Sequence, residues 1–280
     1  MRKYCVIGCP VGHSKSPGLF ERFSGEKGFV FGKDVDYVRN EIPDIDQFNA
    51  FVQDMRAGLW DGCNVTMPWK TEMFKTVDEL SETARLTGSV NTVSAVKGHL
   101  YGDSTDGCGM LNVVEDELAG NSIEGFNMII LGCGGAARSI IAEAVLRKMK
   151  RIAVVCREIK SKNVDLTMEM LKKIKDCTTE ITFVQQDDLE GLLKVITEAD
   201  LLINSTPVGM ADGTGNENRL PLDGSIEFPS KLIVADCVYN PDETLLIKKA
   251  KESGCKTIKG IRMLEEQARC GVKVLLREEI

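Results

Sequence analysis

Apolar residues along the chain fall into short unbroken runs, separated by longer stretches in which they recur every three or four positions. The short runs predict strands at Tyr4–Ile7, Asp36–Arg39, Gly62–Thr66 and Val90–Val96 in the first part of the chain. They predict further strands at Phe126–Leu131, Arg151–Cys156, Glu180–Val184, Asp200–Asn204 and Leu232–Asp236. The recurring pattern predicts helices over Pro17–Glu26, Ile45–Ala57, Lys70–Val77, Gly107–Leu118, Ala136–Lys148, Val164–Lys175 and Thr244–Ser253. Strands apolar on both faces, alternating with helices, imply parallel sheets covered by helices, so the expected class is α/β. Gly120-Asn121-Ser122 and Gly125 form a turn-rich connection into the most apolar strand, which places a domain boundary near residue 107.

Composition narrows the range of functions. A chain of 280 residues fits one large or two ordinary domains, and 43% hydrophobic with 28% charged residues excludes disorder as the main theme. The net charge of −7 argues against a nucleic-acid partner, so any anionic ligand must be held by a local arrangement. Ten cysteines include no Cys-x-x-Cys pair, and with only His13 and His99 beside them no metal site is expected. Cys5, Cys133, Cys156 and Cys237 lie in apolar stretches, where a thiol acts as a small hydrophobe. That usage points to a reducing, cytoplasmic setting. The first apolar run ends at Gly8-Cys9-Pro10, too short for a signal peptide, and no run approaches spanning length. A soluble protein without a membrane partner is expected.

Phe126–Leu131 runs directly into Gly132-Cys133-Gly134-Gly135-Ala136-Ala137 and then a helix. Read as G-x-G-x-x-A, Gly132 permits the tight turn, Gly134 lets the backbone approach a pyrophosphate, and Ala137 lets helix and strand pack closely. The anion would sit on free N–H groups at the helix start. The next strand ends in Cys156-Arg157-Glu158, followed by Lys160 and Lys162. Glu158 would favour the 2′-hydroxyl of NAD and Arg157 the 2′-phosphate of NADP; the cations outnumber the acid, which favours NADP.

Hydride transfer to a ketone needs a proton for the developing alkoxide. Asn64-Val65-Thr66-Met67-Pro68-Trp69-Lys70 supplies a candidate donor, Lys70, just past a strand end, either desolvated or held charged by a carboxylate. Asp106, directly before a helix, reads equally as an N-cap. Ser16 before Pro17 reads as an N-cap too, although Ser14 and Ser16 could instead offer hydroxyls to a carboxylate. His13 is expected as a structural hydrogen-bonder. Asn204-Ser205-Thr206-Pro207-Val208-Gly209-Met210 and Asp236-Cys237-Val238-Tyr239-Asn240-Pro241 leave two further strand ends, and 211–221 is a polar loop.

Eight blocks together resemble the shikimate dehydrogenases, including the quinate/shikimate dehydrogenases: GCPVGHSKSP (8–17), NVTMPWK (64–70), GSVNTV (88–93), GDSTDG (102–107), GCGGAAR (132–138), NSTPVGM (204–210), DCVYNP (236–241) and GIRMLEEQA (260–268). The resemblance covers nearly the whole chain in family order. It implies a substrate domain of residues 1–106 completed by a C-terminal helix at 262–280, a Rossmann-type NAD(P)-binding domain at 107–261, and an active site in the cleft. The implied activity is NADP-dependent, reversible reduction of 3-dehydroshikimate to shikimate by a monomer or homodimer. The implied catalytic pair is Lys70 and Asp106. Ser14, Ser16, Thr66 and Tyr239 match carboxylate binders, while Asn91, Asp106 and Gln267 match binders of ring hydroxyls. Gly132, Gly134, Gly135, Ala136, Arg157, Thr206, Val238, Gly260 and Met263 are the implied cofactor residues. Ser104, Cys133 and Ser89 depart from the family's usual Asn and Ala, and Cys156-Arg157-Glu158 stands where NADP-specific members carry Asn-Arg-Thr. The acid leaves an NAD-linked quinate/shikimate dehydrogenase as the alternative. A non-catalytic nucleotide sensor on the same fold is a further one, because fold alone does not give function.

Overall fold

Apolar runs become buried strands in both halves of the computed structural model, which describes residues 1–174, 177–211 and 213–277. Contacts divide the chain into one unit of Met1–Gly109 plus residues from Gln267 onward, and a second of Met110–Glu266. Sequence places these transitions at 106/107 and 261/262. In the structure both fall inside continuous helices.

The first unit opens with β1 (Arg2–Gly8), α1 (Ser16–Gly25), β2 (Val35–Glu41), α2 (Ile45–Arg56), β3 (Gly62–Val65) and α3 (Lys70–Thr76). It continues with β4 (Glu79–Leu80), α4 (Glu82–Thr87), β5 (Thr92–Val96), β6 (His99–Asp103) and the start of α5 (Asp106–Glu117). The six strands form one sheet in the order β2-β1-β3-β5-β6-β4. Side-chain alternation along β1 sends Tyr4 and Val6 to one face and Cys5 and Ile7 to the other. The first face is covered by Phe20 and Phe23 of α1 and by Val272 and Leu275; the second by Phe48, Phe51, Val52 and Met55 of α2.

This sheet is mixed, not all parallel as the alternation of elements implies. β5 runs antiparallel to both β3 and β6. The cause is local: Lys97 and Gly98 join β5 to β6 with φ of 53° and 80°, the left-handed pair of a tight hairpin turn. Consequently the carboxyl ends of β1, β3 and β6 and the amino end of β5 share one sheet edge.

The second unit follows with β7 (Asn127–Leu131), α6 (Gly135–Leu146), β8 (Arg151–Cys156), α7 (Lys162–Lys172), β9 (Glu180–Gln185), α8 (Leu189–Glu198) and β10 (Leu201–Asn204). Then come β11 (Ile233–Asp236), α9 (Leu245–Glu252), β12 (Lys256–Ile258) and α10 (Gly260–Leu275), the last ending in the first unit. The expected end of α7 at Lys175 lies outside the described residues, as do 278–280 of the expected C-terminal helix. The sheet is parallel, in the order β12-β11-β10-β7-β8-β9, so strand order reverses between β7 and β10. Such a switch point is where open α/β sheets bind ligands, and this is the expected Rossmann-type order. Side-chain caps at Asp44, Ser81, Ser161, Asp188 and Thr244 start five helices, each cap contributing about 1 kcal/mol. Among the described residues no helix is long and apolar enough to cross a membrane.

Asp236 ends β11 fully buried, accepting from Asn204 Nδ2 at 2.9 Å, Val238 N–H at 2.9 Å and the Thr244 hydroxyl at 2.6 Å. Burial raises its carboxyl from 3.8 to about 6, although those three hydrogen bonds pull the other way. Between the two values the folded chain holds a proton that the unfolded chain has lost, so this stabilisation is present at low pH and fades as pH rises through about 6. We expect urea unfolding to show wild type losing stability relative to Asp236→Asn between pH 4 and 7, by up to about 3 kcal/mol. Parallel pH dependences of the two proteins would contradict this.

Candidate active site

The shared edge of the first sheet gathers the polar residues that the sequence singles out. After β3, Thr66 N–H donates to Ile7 O at 2.9 Å, and Trp69 is anchored by donating its indole N–H to Ile42 O at 2.7 Å and stacking on Phe48. That anchor fixes the start of α3, so Lys70 emerges at its first position. Val90 N–H donates to Lys70 O at 3.0 Å and ties this turn to the entry of β5. Lys70 Nζ lies 2.8 Å from Asp106 Oδ2.

Asp106 is the first residue of α5, and its carboxylate engages Lys70 and Asn91 rather than capping the helix. Burial favours its neutral form. The Lys70 ammonium and the hydrogen bonds from Lys70 and Asn91 outweigh burial and hold the carboxyl below its ordinary range. Buried Asn91 uses both ends of its amide. Nδ2 donates to Asp106 Oδ1 at 2.8 Å and Thr105 Oγ1 at 3.1 Å, while Oδ1 accepts from Thr105 N–H at 2.9 Å. Thr105 Oγ1 also reaches the backbone carbonyl of Gln267 at 3.2 Å. A Cβ on Gly109 would fall 2.5 Å from Gln267 Cβ, so a glycine there is what lets Gln267 approach α5.

Ser14 and Ser16 lie in the loop between β1 and α1. Ser14 Oγ stands 3.0 Å from Ser16 Oγ and accepts from Ser16 N–H at 3.2 Å. The Arg39 guanidinium grips the Ser14 carbonyl with two hydrogen bonds, at 2.7 and 3.1 Å. The N-cap position of α1 is Lys15 and Ser16 is the first helical residue, so the capping reading of Ser16 does not hold. His13 is exposed. Tyr239 belongs to the second unit and is 45% exposed.

In the second unit the Gly132 loop lies at the switch point. Gly132 has a φ of 100°, and a Cβ there would come 3.0 Å from Thr206 Cγ2, so this glycine is required by the backbone and its neighbour. Gly134 has ordinary extended geometry and nothing within 4 Å of a Cβ, leaving room for a ligand against the N-terminus of α6. Gly135 and Ala136 open that helix, and buried Ala137 packs it down. A cleft of about 480 Å³ is lined by Gly132, Gly134, Arg157 and Thr206. Thr206 is fixed by two hydrogen bonds to Asn204 Oδ1, at 2.7 and 3.0 Å. Val238, Gly260 and Met263 fall outside this lining. Gly260 packs on Val238, where a Cβ would meet its carbonyl oxygen at 2.3 Å, and Met263 is buried.

The cleft also takes in Asn163, Gln186, Asn216 and Arg219, none of them anticipated. Asn216 and Arg219 come from the polar 211–221 loop, of which Asp212 lies outside the described residues. Among the described lining residues Arg157 and Arg219 are cationic and none is a carboxylate. Its donor set suits a phosphorylated dinucleotide. The first unit thus carries an ammonium–carboxylate pair with paired hydroxyls, and the second a Rossmann-type nucleotide cleft.

Comparison with known proteins agrees with this class. The family model for the shikimate dehydrogenase substrate binding domain matches residues 6–93. A shikimate dehydrogenase (NADP(+)) of Alkaliphilus metalliredigens is 37% identical over 275 residues, covering 98% of this chain and 91% of its own. A crystal structure of shikimate 5-dehydrogenase from Listeria monocytogenes with shikimate and NAD superposes with a TM-score of 0.88 at 32% identity, covering 100% of this chain and 93% of that one. A ligand-free 5-ketofructose reductase of Gluconobacter gives a TM-score of 0.82 at 28% identity over 98% of this chain and 92% of its own. The chain belongs to the shikimate dehydrogenase family.

The two loop glycines should separate in experiment. Gly132→Ala is expected to lower thermal stability, because it combines positive φ with a close contact. Gly134→Ala should melt like wild type yet lose dinucleotide affinity at least tenfold by fluorescence titration, since its Cβ would meet only the ligand. Unchanged affinity in Gly134→Ala would place the pyrophosphate elsewhere.

Proposed function

We propose that the protein catalyses the NADP-linked, reversible reduction of 3-dehydroshikimate to shikimate. The contact carrying this reading is the 2.8 Å pair of Lys70 Nζ and Asp106 Oδ2, supported by Asn91 on the sheet edge. When bound, the nicotinamide donates a hydride to the ketone carbon or accepts it back. Lys70 holds the hydroxyl proton, giving it to the oxygen as the alkoxide forms and taking it in the reverse direction. Asp106 keeps the ammonium aimed and, with Asn91 and Gln267, binds ring hydroxyls. Ser14 and Ser16 present two hydroxyls beside one another for the substrate carboxylate; Thr66 and Tyr239 join them on family resemblance alone. Gly132, Gly134, Gly135, Ala136 and Thr206 would hold the dinucleotide, Arg157 its 2′-phosphate, and Val238, Gly260 and Met263 complete the set on resemblance.

The cationic, carboxylate-free lining around Arg157 and Arg219 supports NADP. Exposed Glu158 beside Arg157 favours a second reading, an NAD-linked enzyme acting on quinate as well. Cytoplasmic residence is part of the proposal, supported by the sequence's cysteine usage, sparse and without a Cys-x-x-Cys pair.

Initial rates with shikimate and quinate, each against NADP and NAD, test the assignment. Shikimate with NADP should be the fastest combination; a preference for NAD would establish the second reading. Lys70→Ala should lower kcat by about 10²–10⁴-fold with dinucleotide affinity retained. Turnover near wild type in that variant would remove Lys70 from the mechanism.

A further inference from the structure

Two buried hydroxyls in the first unit have no part in the chemistry above. Tyr37, 3% exposed on β2, donates its hydroxyl to Asn64 Oδ1 at 2.7 Å. Asn64 Nδ2 donates to Thr92 Oγ1 at 3.0 Å, and the fully buried Thr92 hydroxyl reaches Asn91 Oδ1 at 3.0 Å. Asn91 is the residue that donates to Asp106. The chain of contacts therefore runs without a break from Tyr37 on β2 to the Lys70–Asp106 pair.

Its direction is forced. A backbone N–H can only donate and a carboxylate can only accept. Thr105 N–H and the Asp106 carboxylate therefore fix which end of the Asn91 amide is which. Asn91 Oδ1 cannot donate, so the Thr92 hydroxyl must donate to it. The Thr92 oxygen then accepts from Asn64 Nδ2, and Asn64 Oδ1 is left to accept from Tyr37. Each dipole points its positive end toward Asp106, and aligned hydrogen bonds of this kind polarise one another. Gly271 of α10 seals the middle, since a Cβ there would lie 3.3 Å from Asn64 Nδ2 and 3.4 Å from Thr92 Oγ1.

We propose that Tyr37 and Thr92 are positioning residues which, through Asn64, hold the Asn91 amino group on the Asp106 carboxylate of the acid–base pair. The inference rests on reading Lys70 and Asp106 as that pair. Among the described residues, the charged group facing Asp106 is Lys70 from α3, with neutral Asn91 opposite. The titratable groups facing Tyr37 are the Cys5 and Cys63 thiols of β1 and β3, both pushed upward by burial and so uncharged near neutrality.

Thr92→Val, Thr92→Ser and Tyr37→Phe, made in the full chain, test it through two readouts. One is the ¹³C titration of the Asp106 carboxyl in the protein alone; the other is kcat and KM with shikimate and NADP. Thr92→Val should titrate Asp106 at higher pH than wild type and lower kcat about tenfold, with KM for shikimate changed less than about threefold. Thr92→Ser, which keeps the hydroxyl, should restore both, and Tyr37→Phe should move both in the same direction by less. An Asp106 titration identical to wild type in Thr92→Val and Tyr37→Phe overturns the proposal. So does a Thr92→Ser variant as impaired as Thr92→Val, because packing and not the hydroxyl would then be at work. If Thr92→Val does not fold, Tyr37→Phe and Thr92→Ser decide alone. Should wild type leave shikimate unoxidised while the Asp106 titration still moves as expected, the functional reading falls and the positioning network stands.

Discussion

The meeting of Asn91 with Asp106 at the first unit's polar edge depends on the antiparallel turn between β5 and β6. Two consecutive left-handed residues, Lys97 and Gly98, send the chain straight back on itself, so that Thr92 pairs with Asp103. A parallel crossover would have placed the start of β5 and the end of β6 at opposite edges. With the hairpin, Asn91 just before one strand faces Thr105 and Asp106 just after the other. β3 then brings Lys70 to the same place because it, too, is antiparallel to β5. Backbone pairing thus brings residues 64–70, 91 and 105–106 to one edge, where the Trp69 anchor sets the position of Lys70.

Part-buried Asp106 and fully buried Asp236 show how far environment decides charge. Asp106 and Asp236 each accept several hydrogen bonds at a strand end or helix start, yet their carboxyls shift in opposite directions. The difference is one ammonium. Lys70 stands against Asp106 and compensates its desolvation, whereas Asp236 meets only neutral donors in Thr244, Asn204 and Val238 N–H. One carboxylate is therefore kept ionised beside the Lys70 ammonium, while the other serves as a linker joining the ends of β10 and β11 to the start of α9.

Much of this was legible in the sequence, and the gaps have physical causes. Strands apolar on both faces, such as Asn127–Leu131 and Arg151–Cys156, announce themselves because burial on both faces leaves no polar alternation. Lys70 and Asp106 were readable as candidates, but either alone is an ordinary helix-start residue; only their proximity gives them meaning. The all-parallel expectation for the first sheet failed because its one informative signal is a dipeptide, Lys97-Gly98. Helix α8 went unread even though Leu189, Leu192, Leu193 and Ile196 carry the helical spacing, and β12 is too short for a period to show. The Tyr37–Asn64–Thr92 network could not be read at all. Hydrogen bonds between residues on separate strands leave no local pattern, and neither do Asn163, Gln186 and Arg219 converging on one cleft.

The first unit takes its core from two segments far apart in sequence. Val272 and Leu275 pack among Tyr4, Phe20 and Tyr37, and Gln267 lies against Gly109. Synthesis on the ribosome runs from the amino end, and domains generally fold as units once their residues are available. Met110–Glu266 is complete before Gln267 has been added, so the second unit can close while the first still waits for its last helical turns. Residues 1–109 are therefore made before the second unit but completed after it, and Phe20, Phe23 and Tyr37 remain without their full cover until Val272 and Leu275 have been added.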